Sequence, residues 1–177
     1  MSSLVWALPL VPLFAGCGAL DDFETQIEDQ ATIPGTFGTG MPGTLDFGGS
    51  FDSLQLSSNR EFDNRGVDPS DVDAIFVKSV RVESTEPMRD RLDVLIDEIT
   101  LVIEAPGLDS RTLASKSELP MGPSVELDVD PTFNLKPYAV ASSMSISATL
   151  TLKQQPTFTT TLRTIVTLAI DVNLLGV

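Results

Sequence analysis

The stretch Ser143–Leu152, SMSISATLTL, decides the fold class of this chain, because polar and apolar residues alternate through it without interruption. Serine or threonine stands at each odd-numbered position, and an apolar residue stands at each even-numbered one. A repeat of two places the two sets on opposite faces of a β-strand, whereas a helix needs a repeat near 3.6. The apolar set is therefore predicted to face a core; it comprises Met144, Ile146, Ala148, Leu150 and Leu152.

A second alternating run, residues 158–174, follows the short connection KQQP at Lys153–Pro156. Its repeated set comprises Phe158, Thr160, Leu162, Thr164, Val166, Leu168, Ile170, Val172 and Leu174. Valine, isoleucine and threonine favour the pleated surface of a sheet. Because two strands joined by a short turn commonly form a hairpin, the sequence predicts that these two runs pair antiparallel to each other.

Four upstream segments also alternate. Their predicted inward residues are Leu54 and Leu56, then Ile75, Val77, Val80 and Val82, then Ile99, Leu101 and Ile103, and finally Val125, Leu127 and Val129. The second set shifts by one position across Ser79, and turn signals such as Pro106-Gly107 separate the segments. Six or seven such strands predict an all-β fold, an antiparallel β-sandwich of the immunoglobulin-like or Greek-key kind.

The segment DRLDVLIDEI, residues 90–99, fits two structures. Its apolar residues at positions 92, 95, 96 and 99 also match one face of a helix. The segment continues into the strand that contains Ile99, and no glycine or capping residue separates the two parts. A strand is therefore predicted throughout, with a helix as the alternative.

The first 16 residues have the composition of a secretory signal. Residues 1–20 carry no charged side chain, and the apolar run from Leu4 to Ala15 is interrupted only by two prolines. The run is shorter than the about 20 residues that a membrane-spanning helix needs. Ala15 and Gly16 are small side chains of the kind found before a signal cleavage site, and Cys17, the single cysteine, follows them.

The stretch LFAGCG, residues 13–18, resembles the lipobox of bacterial lipoproteins, although Phe14 stands where that family usually has leucine. The resemblance implies that Cys17 becomes the first residue of the mature chain, with a lipidated thiol and an amino group acylated by a fatty acid such as palmitate. Gly18, in place of the aspartate that retains such proteins at the inner membrane, implies the outer membrane, facing the periplasm or the cell surface. The alternative is a buried structural cysteine in an apolar strand.

Three later stretches resemble a group of predicted lipoproteins of Gram-negative bacteria, of the myxobacterial kind. They are NRGVDPSDVDAIFVKSVRVES, LDVLIDEITLVIEAPGL and LKPYAVASSMSI, within residues 60–150. That group has no assigned activity, so the resemblance implies a location and a fold but no reaction. The predicted organisation is a signal peptide over residues 1–16, a lipidated cysteine and flexible tether over 17–43, and a β-sandwich domain over 44–177.

The acidic segment EFDNRGVDPSDVD, residues 61–73, is the one candidate metal site. Loops rich in aspartate can supply the six to eight oxygens that calcium prefers. The candidate ligands are Asp63, Asp68, Asp71 and Asp73. Their spacing does not follow the EF-hand pattern, and Asp68 before Pro69 is typical of a simple turn. The turn is therefore preferred, and calcium is the only cofactor that the sequence leaves open.

The composition restricts the function. The 177 residues contain no histidine, which removes the usual general base near neutral pH and the commonest metal ligand. A net charge of −14 repels phosphate backbones, so nucleic acid is not an expected partner. We expect a non-enzymatic, membrane-anchored envelope protein with a structural or protein-interaction role and an unidentified envelope protein as partner. The alternative is a carrier that holds a lipid or another hydrophobic ligand between its sheets.

Overall fold

The computed structural model describes residues 22–35, 42–46, 64, 67, 71–85, 91–154, 156 and 158–172, with the backbone alone described for 42–46. These residues form eight strands: β1 (Asp22–Ile33), β2 (Pro42–Asp46), β3 (Val72–Ser84), β4 (Ile96–Glu104), β5 (Arg111–Ser117), β6 (Ser124–Val129), β7 (Ser145–Leu152) and β8 (Thr160–Val172). Two one-turn helices accompany them, α1 (Leu92–Leu95) and α2 (Lys136–Ala139). The prediction of an all-β protein is confirmed.

The strands form one antiparallel sheet in the order β1-β8-β3-β6-β5-β4-β7-β2. The contact between β5 and β6 is narrow, with Ala114 opposite Val129 and Ser115 opposite Asp128. This narrow contact divides the sheet into half A (β1, β8, β3 and β6) and half B (β5, β4, β7 and β2). Buried apolar side chains of both halves belong to one core cluster, so the halves enclose a common core as in a sandwich.

The alternation predicted for β7 and β8 is confirmed in its burial. Every even-numbered residue from Met144 to Leu152 is buried, and so is every even-numbered residue from Thr160 to Val172. Most of the intervening residues of the two strands are half-buried rather than fully exposed. Both strands are central in their half of the sheet, so neighbours on two sides cover part of each small outward side chain.

The predicted hairpin between these two strands is wrong. β7 pairs with β4 and β2 in half B, whereas β8 pairs with β1 and β3 in half A. The end of β7 at Leu152 and the start of β8 at Thr160 therefore lie in different halves of the sheet. Alternation specifies which face of a strand is buried, but it carries no information about which strand lies beside it.

Residues assigned to the flexible tether include a long strand. Asp22–Ile33 forms β1, and it pairs with β8 along its whole length. Ile27 and Ile33 are buried in the core, but the inward positions between them and before them include Thr25 and Asp29. These two polar residues interrupt the apolar repeat, so the acidic composition of the segment predicts a tether rather than a strand. β2 begins two residues before the predicted domain boundary at 44, and Leu54 and Leu56 lie outside the described residues.

The one-position shift of the apolar set across Ser79 corresponds to a β-bulge in β3. Val77 lies opposite Leu168 and Ser79 lies opposite Thr167, so Lys78 is the additional residue. The bulge lets Val77 and Val80 both face the core although three positions separate them.

The strand predicted over residues 90–99 is wrong at its beginning. Leu92–Leu95 forms α1, and β4 starts only at Ile96. The helical alternative was therefore correct for one turn. Both ends of that turn are held from outside: the backbone N–H of Leu92 donates to the carbonyl of Gly122 at 2.8 Å, and that of Lys153 donates to the carbonyl of Leu95 at 2.9 Å. Such distant contacts are not visible in a local pattern.

Candidate functional site

One end of the domain is closed by the loop that carries α2. We call this end of the domain the α2 end; it comprises residues 105–110, residues 130–144 and the start of β1. The backbone N–H of Leu135 donates to the carbonyl of Ile75 at 2.7 Å. Ile75 lies opposite Ile170, which in turn lies opposite Phe23 near the start of β1. The α2 loop is therefore attached to the same end of half A at which β1 begins.

The same loop is attached to half B through Tyr138, which is buried. Its hydroxyl donates to the backbone carbonyl of Asp109, in the turn between β4 and β5, at 2.5 Å. Its ring contacts Phe133 edge to face at 5.7 Å, and the guanidinium of Arg111 lies over the Phe133 ring at 5.7 Å. These contacts hold the loop across both halves of the sheet.

The turn between β4 and β5 presents an apolar side chain to solvent. Pro106 and Gly107 occupy its centre, Gly107 has φ of 79°, and the N–H of Leu108 donates to the carbonyl of Ala105 at 3.1 Å. This is the geometry of a type II turn, in which the third position favours glycine. Leu108 is 38 % exposed as a result, and Val140, just after α2, is 54 % exposed.

An open cleft of about 390 Å³ lies beside this turn. It is lined by Glu104, Ala105, Pro106, Leu108, Ser110, Ser143, Met144 and Ser145. Among the described residues that line it, the polar groups are mostly hydroxyls, and Glu104 alone is charged. These described lining residues include no pair of groups arranged for acid–base chemistry.

The opposite end of the domain, which we call the α1 end, is organised around Asp93 of α1. It comprises α1, residues 118–123 and the described residues 153, 154, 156, 158 and 159. The guanidinium of Arg91 donates two hydrogen bonds to the Asp93 carboxylate, and the N–H of Gly122 donates a third at 3.2 Å. The Arg91 hydrogen bonds are the main reason that the pKa of Asp93 lies below its ordinary value, and the pKa of Arg91 is raised in turn. The exposed apolar side chains at this end include Val94, Met121 and Phe158.

The outer face of half A is charged. Arg163 of β8 donates to Glu28 of β1 and to Glu83 of β3, with Nε–Oε2 and Nη1–Oε1 distances of 3.1 Å each. The hydrogen bond to Glu28 is the largest cause that raises the pKa of Arg163. Lys78 forms an ion pair with Glu24 on the same face. These pairs join three adjacent strands on the solvent side.

The outer face of half B is different, because hydroxyl residues follow one another across it. Ser115 of β5 lies opposite Thr100 of β4, and Thr100 lies opposite Thr149 of β7. Thr149 shares its row with position 44 of β2. The centre of this face is thus uncharged, in contrast to half A.

The predicted site residues are only partly within the described chain. Ala15, Gly16 and Cys17 lie outside it, and so do Asp63 and Asp68. Asp71 is half-buried just before β3, and Asp73 is exposed on β3. The described residues contain no group of three or more acidic, cysteine or histidine side chains placed to hold a metal ion. They also contain no helix with the length and hydrophobicity to cross a bilayer.

Leu108 and Val140 are not among the functional residues that the sequence patterns predict. Leu108 directly follows the Pro106-Gly107 turn signal, and because turns lie at the surface, this position indicates that the side chain is exposed. Val140 lies three residues before the alternating run that starts at Ser143, and its sequence neighbours give no comparable sign.

No protein-family model matches this chain, and no curated protein matches it. Among solved structures, it is similar to a chain of the cyanophage Pam1 capsid asymmetric unit, at 12% identity and a TM-score of 0.41, over 96% of each chain. It is also similar to a chain of Desmodium yellow mottle tymovirus, at 14% identity and a TM-score of 0.30, over 100% of this chain and 94% of that one. Similarities at this level carry no argument about function.

Proposed function

We propose that this protein is a lipid-anchored protein of the cell envelope, held at the outer membrane through Cys17, with a structural or protein-interaction role and no enzymatic activity. The observation that carries the proposal is the position of Cys17. It follows an uncharged apolar run ending in Ala15 and Gly16, and the first described strand begins five residues later at Asp22. Two or more acyl chains on one residue give a stable anchor, whereas one chain alone gives marginal binding.

The packing of the core supports this role over that of a hydrophobic carrier. The space between the halves is filled by aliphatic side chains with no measurable exposure, among them Val80 and Val82 of half A and Ile99 and Leu101 of half B. A carrier site needs a cavity of roughly 300–1,000 Å³. The cleft of about 390 Å³ at the α2 end has that volume, but it is open to solvent and its lining includes Glu104 and three serines, which does not suit a hydrophobic ligand. A ligand of that size between the halves would have to displace several of the aliphatic side chains, at the cost of their close packing.

The Cys17→Ser variant tests the anchor, and Ala19→Ser is the matched control because it leaves the cysteine in place. We expect the control protein to carry acyl chains on Cys17 and to sediment with membranes. The serine variant should retain its signal peptide or lose its membrane association. Mass spectrometry of the N-terminus decides the question, since an unmodified Cys17 on an uncleaved chain contradicts the proposal.

The non-enzymatic role and the carrier alternative need a separate measurement. The protein is cross-linked in intact cells and then extracted in detergent. We expect it to carry a defined protein partner and no stoichiometric lipid other than the covalently attached one. A stoichiometric non-covalent lipid, identified by native mass spectrometry, would favour the carrier instead.

A further inference from the structure

We propose that the α2 end of the domain rests on the surface of a zwitterionic bilayer, with Leu108 and Val140 in the headgroup region. This inference rests on the lipid anchor proposed at Cys17. It adds the orientation of the domain and the surface that contacts the membrane.

The length of chain between the anchor and the fold selects this end. Four residues separate Cys17 from Asp22, the first residue of β1. Even fully extended, the five steps between them span at most about 18 Å. β1 has twelve residues, so its far end lies roughly 40 Å from its beginning. When β1 stands perpendicular to the membrane plane, the α2 end is therefore close enough to contact the membrane, whereas the α1 end is not.

The exposed apolar side chains suit the headgroup region. Leu108 lies on a rigid type II turn, and Val140 follows α2 on the loop that Tyr138 ties to that turn. Exposed prolines at positions 106 and 137 flank them. The α1 end also exposes apolar residues, so exposure alone does not distinguish the ends; the length of the tether does.

The charges on the outer face of half A oppose an orientation in which the domain lies on that face. If β1 lay along the membrane with half A facing it, the Arg163–Glu28 and Lys78–Glu24 pairs would lose water. Removing exposed ion pairs from water is unfavourable unless new hydrogen-bonding partners replace the lost water. At the α2 end itself, the three exposed carboxylates of Asp22, Asp109 and Asp130 outnumber two cations, the exposed Arg111 and the half-buried Lys136. This balance favours zwitterionic over anionic lipid.

The chain offers a clean fluorescence experiment, because its single tryptophan, Trp6, lies in the predicted signal peptide. Leu108→Trp and Val140→Trp place one reporter each at the α2 end. Met121→Trp and Phe158→Trp are matched controls at exposed apolar positions of the α1 end. Each lipidated protein is reconstituted into phosphatidylcholine vesicles whose acyl chains carry bromine near the headgroup, and vesicle flotation confirms attachment.

We expect the emission of the reporters at 108 and 140 to shift to shorter wavelength and to lose intensity in brominated vesicles. The reporters at 121 and 158 should show the same emission wavelength and intensity in brominated vesicles as in unbrominated phosphatidylcholine vesicles. Replacing part of the phosphatidylcholine by phosphatidylglycerol should reduce quenching at 108 and 140, because the acidic groups beside them are repelled.

The outcomes separate the orientation from the anchor. Equal quenching at both ends means that the domain lies flat and overturns the orientation. Attached, lipidated protein that shows no quenching at 108 and 140 also overturns it, while the anchor stands. An unmodified Cys17 in the mass spectrum overturns both.

Discussion

Asp29 of β1 lies directly opposite Thr164 of β8, and both side chains are buried in the core, with exposed fractions of 7 % and 0 %. One carboxylate oxygen of Asp29 accepts a hydrogen bond from the backbone N–H of Gln30 at 2.6 Å. The hydroxyl of Thr164 has no hydrogen-bond partner among the described residues. On the other side of Thr164, the same row continues with Val82, which is aliphatic. A polar pair thus interrupts an otherwise apolar row.

Thr164→Val removes the buried hydroxyl and keeps the shape of the side chain. An unsatisfied buried hydroxyl costs about 1–3 kcal/mol, so we expect the variant to raise the free energy of unfolding by about 1 kcal/mol. Thr149→Val on the outer face of β7 is the matched control, with an expected change within about 0.5 kcal/mol. Urea unfolding measures both. A marked loss of stability at position 164 would mean that the hydroxyl is hydrogen-bonded in solution.

Ile170→Asp tests the inward face of β8. Ile170 lies between Phe23 and Ile75 and is 2 % exposed, so a carboxylate there is buried without a partner. We expect a loss of several kcal/mol, which is comparable to the stability of a whole domain. Thr149→Asp places the same charge on an outer face and should cost a small fraction of that. Equal losses in urea unfolding would contradict the assignment of faces.

The sequence predicted the faces of the strands better than their neighbours. The alternation from Met144 to Leu152 is a local property, and burial follows it residue by residue. The pairing of β7 with β4 depends on how the whole chain is folded, and no local pattern specifies it. β1 was missed because Thr25 and Asp29 occupy inward positions, and pairing with β8 outweighed this low local propensity for a strand.

The candidate surfaces were harder to predict than the strands. The exposure of Leu108 depends on a turn that the Pro-Gly pair indicates, so this exposure could be predicted from the sequence. The attachment of Tyr138 to the carbonyl of Asp109 joins residues 29 positions apart. The spacing of residues along the chain carries no signal for such a contact, because it arises only when both halves of the sheet have formed.

Calcium tests the acidic segment. The sequence favours a turn, and Asp73 is exposed on the strand β3. We expect millimolar calcium to leave the midpoint of thermal unfolding unchanged, because a ligand raises it only by binding the native state. The midpoint of thermal unfolding of the Asp73→Asn variant should also be the same with and without calcium. An increase in the wild-type midpoint that the variant abolishes would identify a calcium site that includes this residue.

Asp93→Asn tests the ionic contacts that hold α1. The pKa of Asp93 is lowered chiefly by hydrogen bonds from Arg91, so its carboxylate stabilises the native state at every pH above its ordinary value of 3.8. That contribution is lost as the pH falls through the lower pKa of the folded state. We therefore expect the variant to be less stable at neutral pH, with a difference that shrinks below pH 3.8 and then disappears. The amide oxygen can still accept from Gly122, so the variant removes mainly the charge.

Asp97→Asn, on the exposed side of β4, controls for the loss of one carboxylate from a strongly acidic protein. The urea midpoints of the wild type and both variants are measured from neutral pH downwards. A difference between the wild type and Asp93→Asn that persists unchanged into acid would assign the effect of the variant to packing rather than to charge.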